Sequence, residues 1–187
     1  MATGHTDPRR RERIIAATLD LIAEEGVAGV SHRKIATRAG VPLGSMTYHF
    51  SGIEQLLRDA FGRFADHIVA VFDAHLAAPT DRDQACEAVT DLVHVLSEGS
   101  QRDLVLSQEL YTLAARQPVY REITHEWMRR SRVHLEKHFD PDTARQLDAL
   151  IEGLTLHRAL SREPHDRALT REAITRITTT AGRTEPA

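Results

Sequence analysis

The side chains with the clearest chemistry stand in one short stretch, Leu43-Gly44-Ser45-Met46-Thr47-Tyr48-His49. Small and hydroxyl side chains such as Gly44, Ser45 and Thr47 permit close approach to base edges in a DNA groove, while Thr47, Tyr48 and His49 can donate to phosphates. Cations gather before them: Arg9, Arg10, Arg11 and Arg13, then His32, Arg33, Lys34 and Arg38. A local excess of this kind suits a polyanion. Other chemistries are poorly served. His134 and His138 have the i, i+4 spacing that can place two imidazoles on one ion. No third ligand is evident beside them, His125 and Asp140 being the candidates to approach, and histidine near a helix C-terminus is favoured by the dipole alone, so no metal is expected. Cys86 lacks the basic neighbours that favour a thiolate. The chain has no G-x-S-x-G, no Gly-rich phosphate loop and no suggestive Ser, His and Asp grouping; neither an enzyme nor a cofactor is expected.

The elements that must position the stretch can be read on either side of it. Ser31 is a good N-cap for a helix carrying Ile35, Ala36 and Ala39 on one face. Gly40 tolerates the φ > 0 of a sharp turn. Pro42 suits the first turn of a second short helix, running to about His49. Ser51 and Glu54 have capping-box spacing, so a third helix starts there. Two short helices around a glycine turn are the helix-turn-helix geometry, whose second helix enters a major groove. Met46 and Phe50, at i, i+4, anchor that helix; Leu43, Gly44, Ser45, Thr47, Tyr48 and His49 are left for its outer face.

The segment IATRAGVPLGSMTYHFSGIEQLL closely resembles the signature of TetR-type transcriptional repressors, roughly I-A-x-x-A-G-V-s-x-G-s-l-Y-y-H-F-x-x-K-e-x-L. Ile35, Ala36, Ala39, Gly40, Val41, Gly44, Ser45, Tyr48, His49, Phe50, Glu54 and Leu57 carry the resemblance. Thr47 stands where the family usually has Tyr, and Ile53 where it usually has Lys. Both usual residues are implied phosphate contacts; the missing Lys should lower the salt slope of DNA binding by roughly one unit.

The net charge of −3 argues against a nucleic-acid partner until its distribution is considered: a basic N-terminal part precedes a more acidic remainder. No apolar run approaches the roughly 20 residues needed to cross a membrane. The N-terminus has no apolar signal core, and a single cysteine excludes an internal disulfide framework. A cytoplasmic protein is expected. Residues 1–7 read as disordered, and Pro8 or the arginine run opens a first helix bearing Ile14, Ile15, Thr18, Leu19, Leu21 and Ile22, ended by Gly26 and Gly29. The arginines before it can reach along the DNA backbone or into a minor groove.

From Ser51 to about Leu76 one long apolar-faced helix continues past the head and should connect two domains. Thr80 can cap the next helix, Gly99-Ser100 breaks it, Pro118 starts another ending near His138, Asp140-Pro141 restarts the chain, and a last helix covers about 165–179. The expectation is all-α, about nine helices: a helix-turn-helix DNA-binding domain over 8–55, and an effector-binding and dimerisation domain over 56–181.

The resemblance implies more than the residues themselves reveal. LDALIEGLTLHRAL resembles the penultimate TetR helix, which pairs with the last to form a four-helix dimer interface; Leu147, Leu150, Ile151, Leu154 and Ile174 are its expected residues here, the alternative being protomer core. A small-molecule pocket is implied, with His67, His94, Glu109, Tyr111 and Trp127 as possible lining and the ligand unreadable. The whole reading is a homodimeric DNA-binding regulator, a repressor on a palindromic operator. Arg33, Leu43, Gly44 and Ser45 are expected near bases. Ser31, His32, Thr47, Tyr48 and His49, helped by Arg9, Arg10 and Arg11, are expected at phosphates. The alternatives are the same regulator without a small-molecule effector, and a histidine-based metal sensor or enzyme.

Overall fold

The structure, a computed structural model, describes residues 9–99 and 101–180, and of residue 180 the backbone alone. The expectations for residues 1–7, Pro8, Ser100 and position 181 lie outside the described residues. Among the described residues are nine α-helices and one 3-10 turn: α1 (Arg9–Glu25), the turn Val27–Gly29, α2 (His32–Ala39), α3 (Gly44–His49), α4 (Ile53–Leu76), α5 (Arg82–Glu98), α6 (Gln101–Arg116), α7 (Pro118–Leu135), α8 (Pro141–Leu160) and α9 (Arg167–Thr180).

The helices form where local chemistry favours them. Ser31 caps α2, its Oγ accepting from the Lys34 N–H, and Gly40 ends it with φ 63° and ψ 40°. Asp140 caps α8 by accepting from the Thr143 N–H, with Pro141 just behind it. Two caps differ from expectation. Asp81, not Thr80, caps α5 by accepting from the Gln84 N–H; Thr80 instead donates its N–H to Gln84 Oε1. At α4 the Ser51/Glu54 box does not form. The Ser51 N–H donates instead to Gln55 Oε1, 2.7 Å away, in a helix that starts at Ile53. α3 starts at Gly44, two residues later than expected, and α7 ends at Leu135, short of His138.

The chain makes two compact units, the first comprising the residues up to Asp66 with Gln101–Thr124, the second the remainder. In the first, α1 packs on α2 and α6, and α2 on α3. Its core holds Ile14, Ile22, Ile35, Met46, Leu56, Phe61, Phe64, Leu106 and Leu110, each less than 2% exposed. Enclosing a side chain of this size stabilises the fold by about 1.5–3 kcal/mol relative to leaving it in water. Phe61 and Tyr120 meet edge to face at 6.1 Å, and burial pushes the Tyr120 hydroxyl up from its ordinary value.

In the second unit α5 packs on α8 and α9, and α8 on α9. Here Leu147, Ile151 and Ile174 are 0–2% exposed, so they belong to the protomer's own core rather than to a face open to a second copy. Leu150 and Leu154 remain half-exposed. The expected interface set thus divides along two i, i+4 stripes of α8: 147/151 faces α5 and α9, and 150/154 lies beside it.

Candidate nucleic-acid interface

The second motif helix, α3, is held by one side only. Met46 (1% exposed) and Phe50 (3%) fix it to the core, alongside Ile35, Ala36 and Val41 from α2 and the turn. The opposite side carries Leu43, Gly44, Thr47 and Tyr48, all exposed; Tyr48 reaches 73% and Leu43 52%. Large apolar and aromatic side chains held in water on a short helix gain little unless something docks there. His49 is half-buried with its ring 5.0 Å from that of Tyr48, in an edge-on arrangement. The Thr47 hydroxyl donates to the Gly44 carbonyl at 3.1 Å, leaving its oxygen free to accept.

Ser45 corrects the sequence reading. It is 9% exposed and sits on the inner side next to Met46, so its side chain packs rather than facing a groove. On α3, only six residues long, Ser45 stands one position from the anchor Met46 and turns inward with it.

The cations are less free than their density suggested. Arg9, Arg10 and Arg11 form the first turn of α1 instead of an arm ahead of it, since arginine is a good helix former. Arg11 donates to Asp59 at 2.8 Å and lies over the Phe50 ring at 5.4 Å, tying α1 to α4 and to the end of α3. Arg38 donates twice to Glu24, which holds that carboxyl below its usual range. Lys34 donates to Glu25 and to the Gly29 carbonyl. Arg33 and Ser31 are exposed on α2. His32 is half-buried, with Nε2 enclosed and lacking a hydrogen-bond partner. The part Arg11 plays carried no sequence signal, because its partners lie 39 and 48 residues away.

The residues expected to line a pocket do not all share one unit. Glu109 and Tyr111 belong to the first, His67, His94 and Trp127 to the second. Glu109 accepts from the Val27 N–H at 3.2 Å. His94 sits 3.2 Å from Thr170 Oγ1 and 3.5 Å from Glu98. Trp127 is buried and His67 exposed. One recess of about 540 Å³ opens at the end of α8, lined by Leu156, His157, Leu160, Ser161, Glu163 and His165. Another of about 390 Å³ is lined by Asp20, Ala23, Glu24, Arg38, Gln101 and Arg102. Neither takes a residue from the expected set.

The histidine pair is engaged in packing contacts. His134 Nδ1 lies 3.0 Å from Asp73, which Lys137 also reaches at 3.2 Å, and His138 Nε2 lies 2.8 Å from the Leu76 carbonyl. Asp140 caps α8. Among the described residues no group of three potential ligands could hold a metal ion, and no helix is long and apolar enough to cross a membrane.

Comparison with known proteins agrees with this geometry. Residues 14–60 match the model of bacterial regulatory proteins of the tetR family, and residues 80–180 match the tetracyclin repressor-like C-terminal domain. The HTH-type transcriptional regulator BetI of Escherichia coli O17:K52:H18 is 28% identical over 182 residues, covering 89% of this chain and 92% of that protein. The solved structure of SCO7518 from Streptomyces coelicolor A3(2) is 85% identical, covers 92% of this chain and 99% of its own, and superposes with a TM-score of 0.89. The multidrug binding protein EbrR, complexed with ethidium, is 38% identical over 91% of this chain and 99% of its own, with a TM-score of 0.74. With both family regions matched in order, the chain belongs to the TetR family of DNA-binding transcriptional regulators and is not an enzyme.

Proposed function

We propose that the protein is a homodimeric, cytoplasmic repressor that holds a palindromic operator and leaves it when a small molecule binds. The observation that carries this reading is the outward side of α3, where Leu43, Gly44, Thr47 and Tyr48 stand exposed while Met46 and Phe50 anchor the helix. Residues 8–55 act as the DNA-binding domain and residues 56–181 as the effector and dimerisation domain. Each α3 enters one major groove, with half-sites about one helical turn, or a multiple of it, apart. Arg33, Leu43 and Gly44 approach bases, Leu43 being suited to a thymine methyl. Ser31, His32, Thr47, Tyr48 and His49 meet phosphates, joined by Arg9 and Arg10 at the start of α1. Arg11 orients α1 against Phe50 and Asp59. Ser45 packs and is left out of the contact set.

Dimerisation is supported by the half-exposed Leu150 and Leu154 and by the exposed Leu160 and Leu169 at the ends of α8 and the start of α9. A small-molecule effector is supported by EbrR, whose complexes hold ethidium, malachite green and proflavin. Such a ligand releases DNA only if it binds the non-binding conformation more tightly.

The test has two steps. A duplex is recovered from a random-sequence pool by selection on the protein and used in gel shifts; an inverted repeat retained at low salt is expected, and failure to retain any duplex would end the reading. Ethidium and proflavin are then added to the protein alone and to its complex. A raised Tm together with release of the duplex is expected; release without a Tm rise would point to dye intercalation and count against an effector of this class.

A further inference from the structure

The turn between α1 and α2 has a deficit built into it. Its N-cap is Gly26, which has no side chain to accept from the N–H groups that follow. Gly26 suits the turn because its φ is +71°; a Cβ there would stand 2.9 Å from Glu109 Oε1, the end of a flexible side chain that would have to move aside. The neighbouring Val27 N–H finds its acceptor 82 residues further on, in Glu109 Oε2 of α6. At the far end of the turn Lys34 donates to the Gly29 carbonyl at 3.0 Å, from within α2. The turn is thus gripped from α6 at its start and from α2 at its close.

A second clamp lies one heptad earlier. Arg102 of α6 donates through Nε and a terminal nitrogen to Asp20 Oδ1 of α1, at 3.1 and 2.9 Å. Its partners are also 82 residues apart. The two pairs therefore share one register, with α6 running alongside α1 in the same direction. Leu106, wholly buried, lies between the clamps on α6, and Leu110, also wholly buried, follows Glu109 directly. Apolar packing alone tolerates small slips along a helix axis; a hydrogen bond of 3.2 Å does not, and a displacement of about 1 Å takes it out of range.

We propose that Glu109 is a positioning residue of the DNA reader: from α6 it caps the turn that launches α2, and so fixes the angle at which α2 and α3 meet a duplex. The proposal rests on the reading of α2 and α3 as the DNA-binding element. It reassigns Glu109, expected from the sequence to line a ligand pocket, to a backbone contact. Glu109→Ala removes the cap and leaves the Val27 N–H without its acceptor. Glu109→Gln keeps a carbonyl oxygen in place.

The experiment follows the Val27 amide by hydrogen exchange and, on the same proteins, the affinity for a duplex selected from a random pool by the wild-type chain, well below Tm. Glu109→Ala is expected to speed exchange at Val27 and to weaken duplex binding by about five- to tenfold, a cap's usual contribution expressed as affinity. Glu109→Gln is expected to restore both to within about twofold. A merely structural role would lower Tm in both variants without that rescue. Gly26→Ala, which leaves Glu109 intact but forces the two apart, is expected to copy the Glu109→Ala loss and serves if that variant does not fold. Unchanged exchange at Val27 in Glu109→Ala, or a freed amide with unchanged duplex affinity, overturns the proposal. If the wild-type chain itself retains no duplex, the DNA reading fails and takes the proposal with it; if the wild type binds and both variants match it, only the proposal fails.

Discussion

The surface of α3 and the surface of α9 use exposed side chains in opposite ways. At α3, Leu43 just before the helix and Tyr48 within its six residues stand in water, and Thr47 bonds within its own turn. On α9, Arg167 and Arg171 are laced to α5: Arg167 to Glu87 at 2.6 Å and to Asp91, Arg171 to Glu87 at 2.7 Å and to Asp83. Glu87, held mainly by Arg171, keeps its carboxyl below the ordinary range. The contrast separates side chains that wait for a partner from side chains that already have one. Charge by itself does not mark the first kind. Among the cations of α1 and α2, Arg11, Lys34 and Arg38 are all paired within the chain. What marks α3 is large side chains left exposed on one side, mounted on a firm inner side.

The contrast can be broken most severely from beneath. Met46→Ala removes the anchor under α3 and should cost about 2–5 kcal/mol. Calorimetry should then find Tm lower by about 5–15 °C, and gel shifts should find duplex binding lost with it. A Tm within 2 °C, or about that, of wild type would mean the inner side of α3 is not what holds the helix.

Cutting the outer side should do the reverse. Replacing Tyr48 and His49 together by Ala should weaken duplex binding by about tenfold or more while Tm stays put, since neither side chain is buried in the core. Wild-type affinity in the double variant would remove both residues from the interface.

Arg171→Ala sharpens the other half of the comparison. Ion pairs to carboxylates as exposed as those of Asp83 and Glu87 contribute little, so Tm should fall by only about 2–4 °C, and less at about 1 M salt than at low salt. Duplex affinity should not change. A loss of DNA binding here would show that the α5–α9 lacing belongs to the interface after all.

The smallest effect concerns protons. His165, at the turn before α9, is held below its ordinary 6.5, first by burial and then by Arg158. A depressed folded-state value means the unfolded chain binds the proton more readily. The stability it contributes is complete above 6.5 and is lost as pH falls through the lower folded value. Thermal shifts from pH 7.5 down to about 5 should show a shallow decline that His165→Gln flattens, smaller than the Arg171→Ala change. A steeper decline in the variant would reverse the assignment.

Much of the fold was legible because it is written in local chemistry. Ser31, Gly40, Asp140 and Pro118 mark ends that depend on the next few residues, and each works as read. The anchors Met46 and Phe50 follow from helical period alone. Near misses were equally local. Asp81 takes the place expected of Thr80, and Gln55 that of Glu54, one residue away in each case.

The sequence by itself determined that the chain is helical, that a short turn-mounted helix follows Gly40, and which family it resembles, because caps, periodicity and a contiguous motif act over a few residues. Tertiary structure alone decided the inward turn of Ser45, the division of α8 between Leu147/Ile151 inside and Leu150/Leu154 at the edge, the grip of Arg11 on Phe50, and the reach of Glu109 to Val27. A helical pattern gives the width of an apolar stripe but not what covers it. A hydrogen bond across 82 residues exists only once both helices have packed.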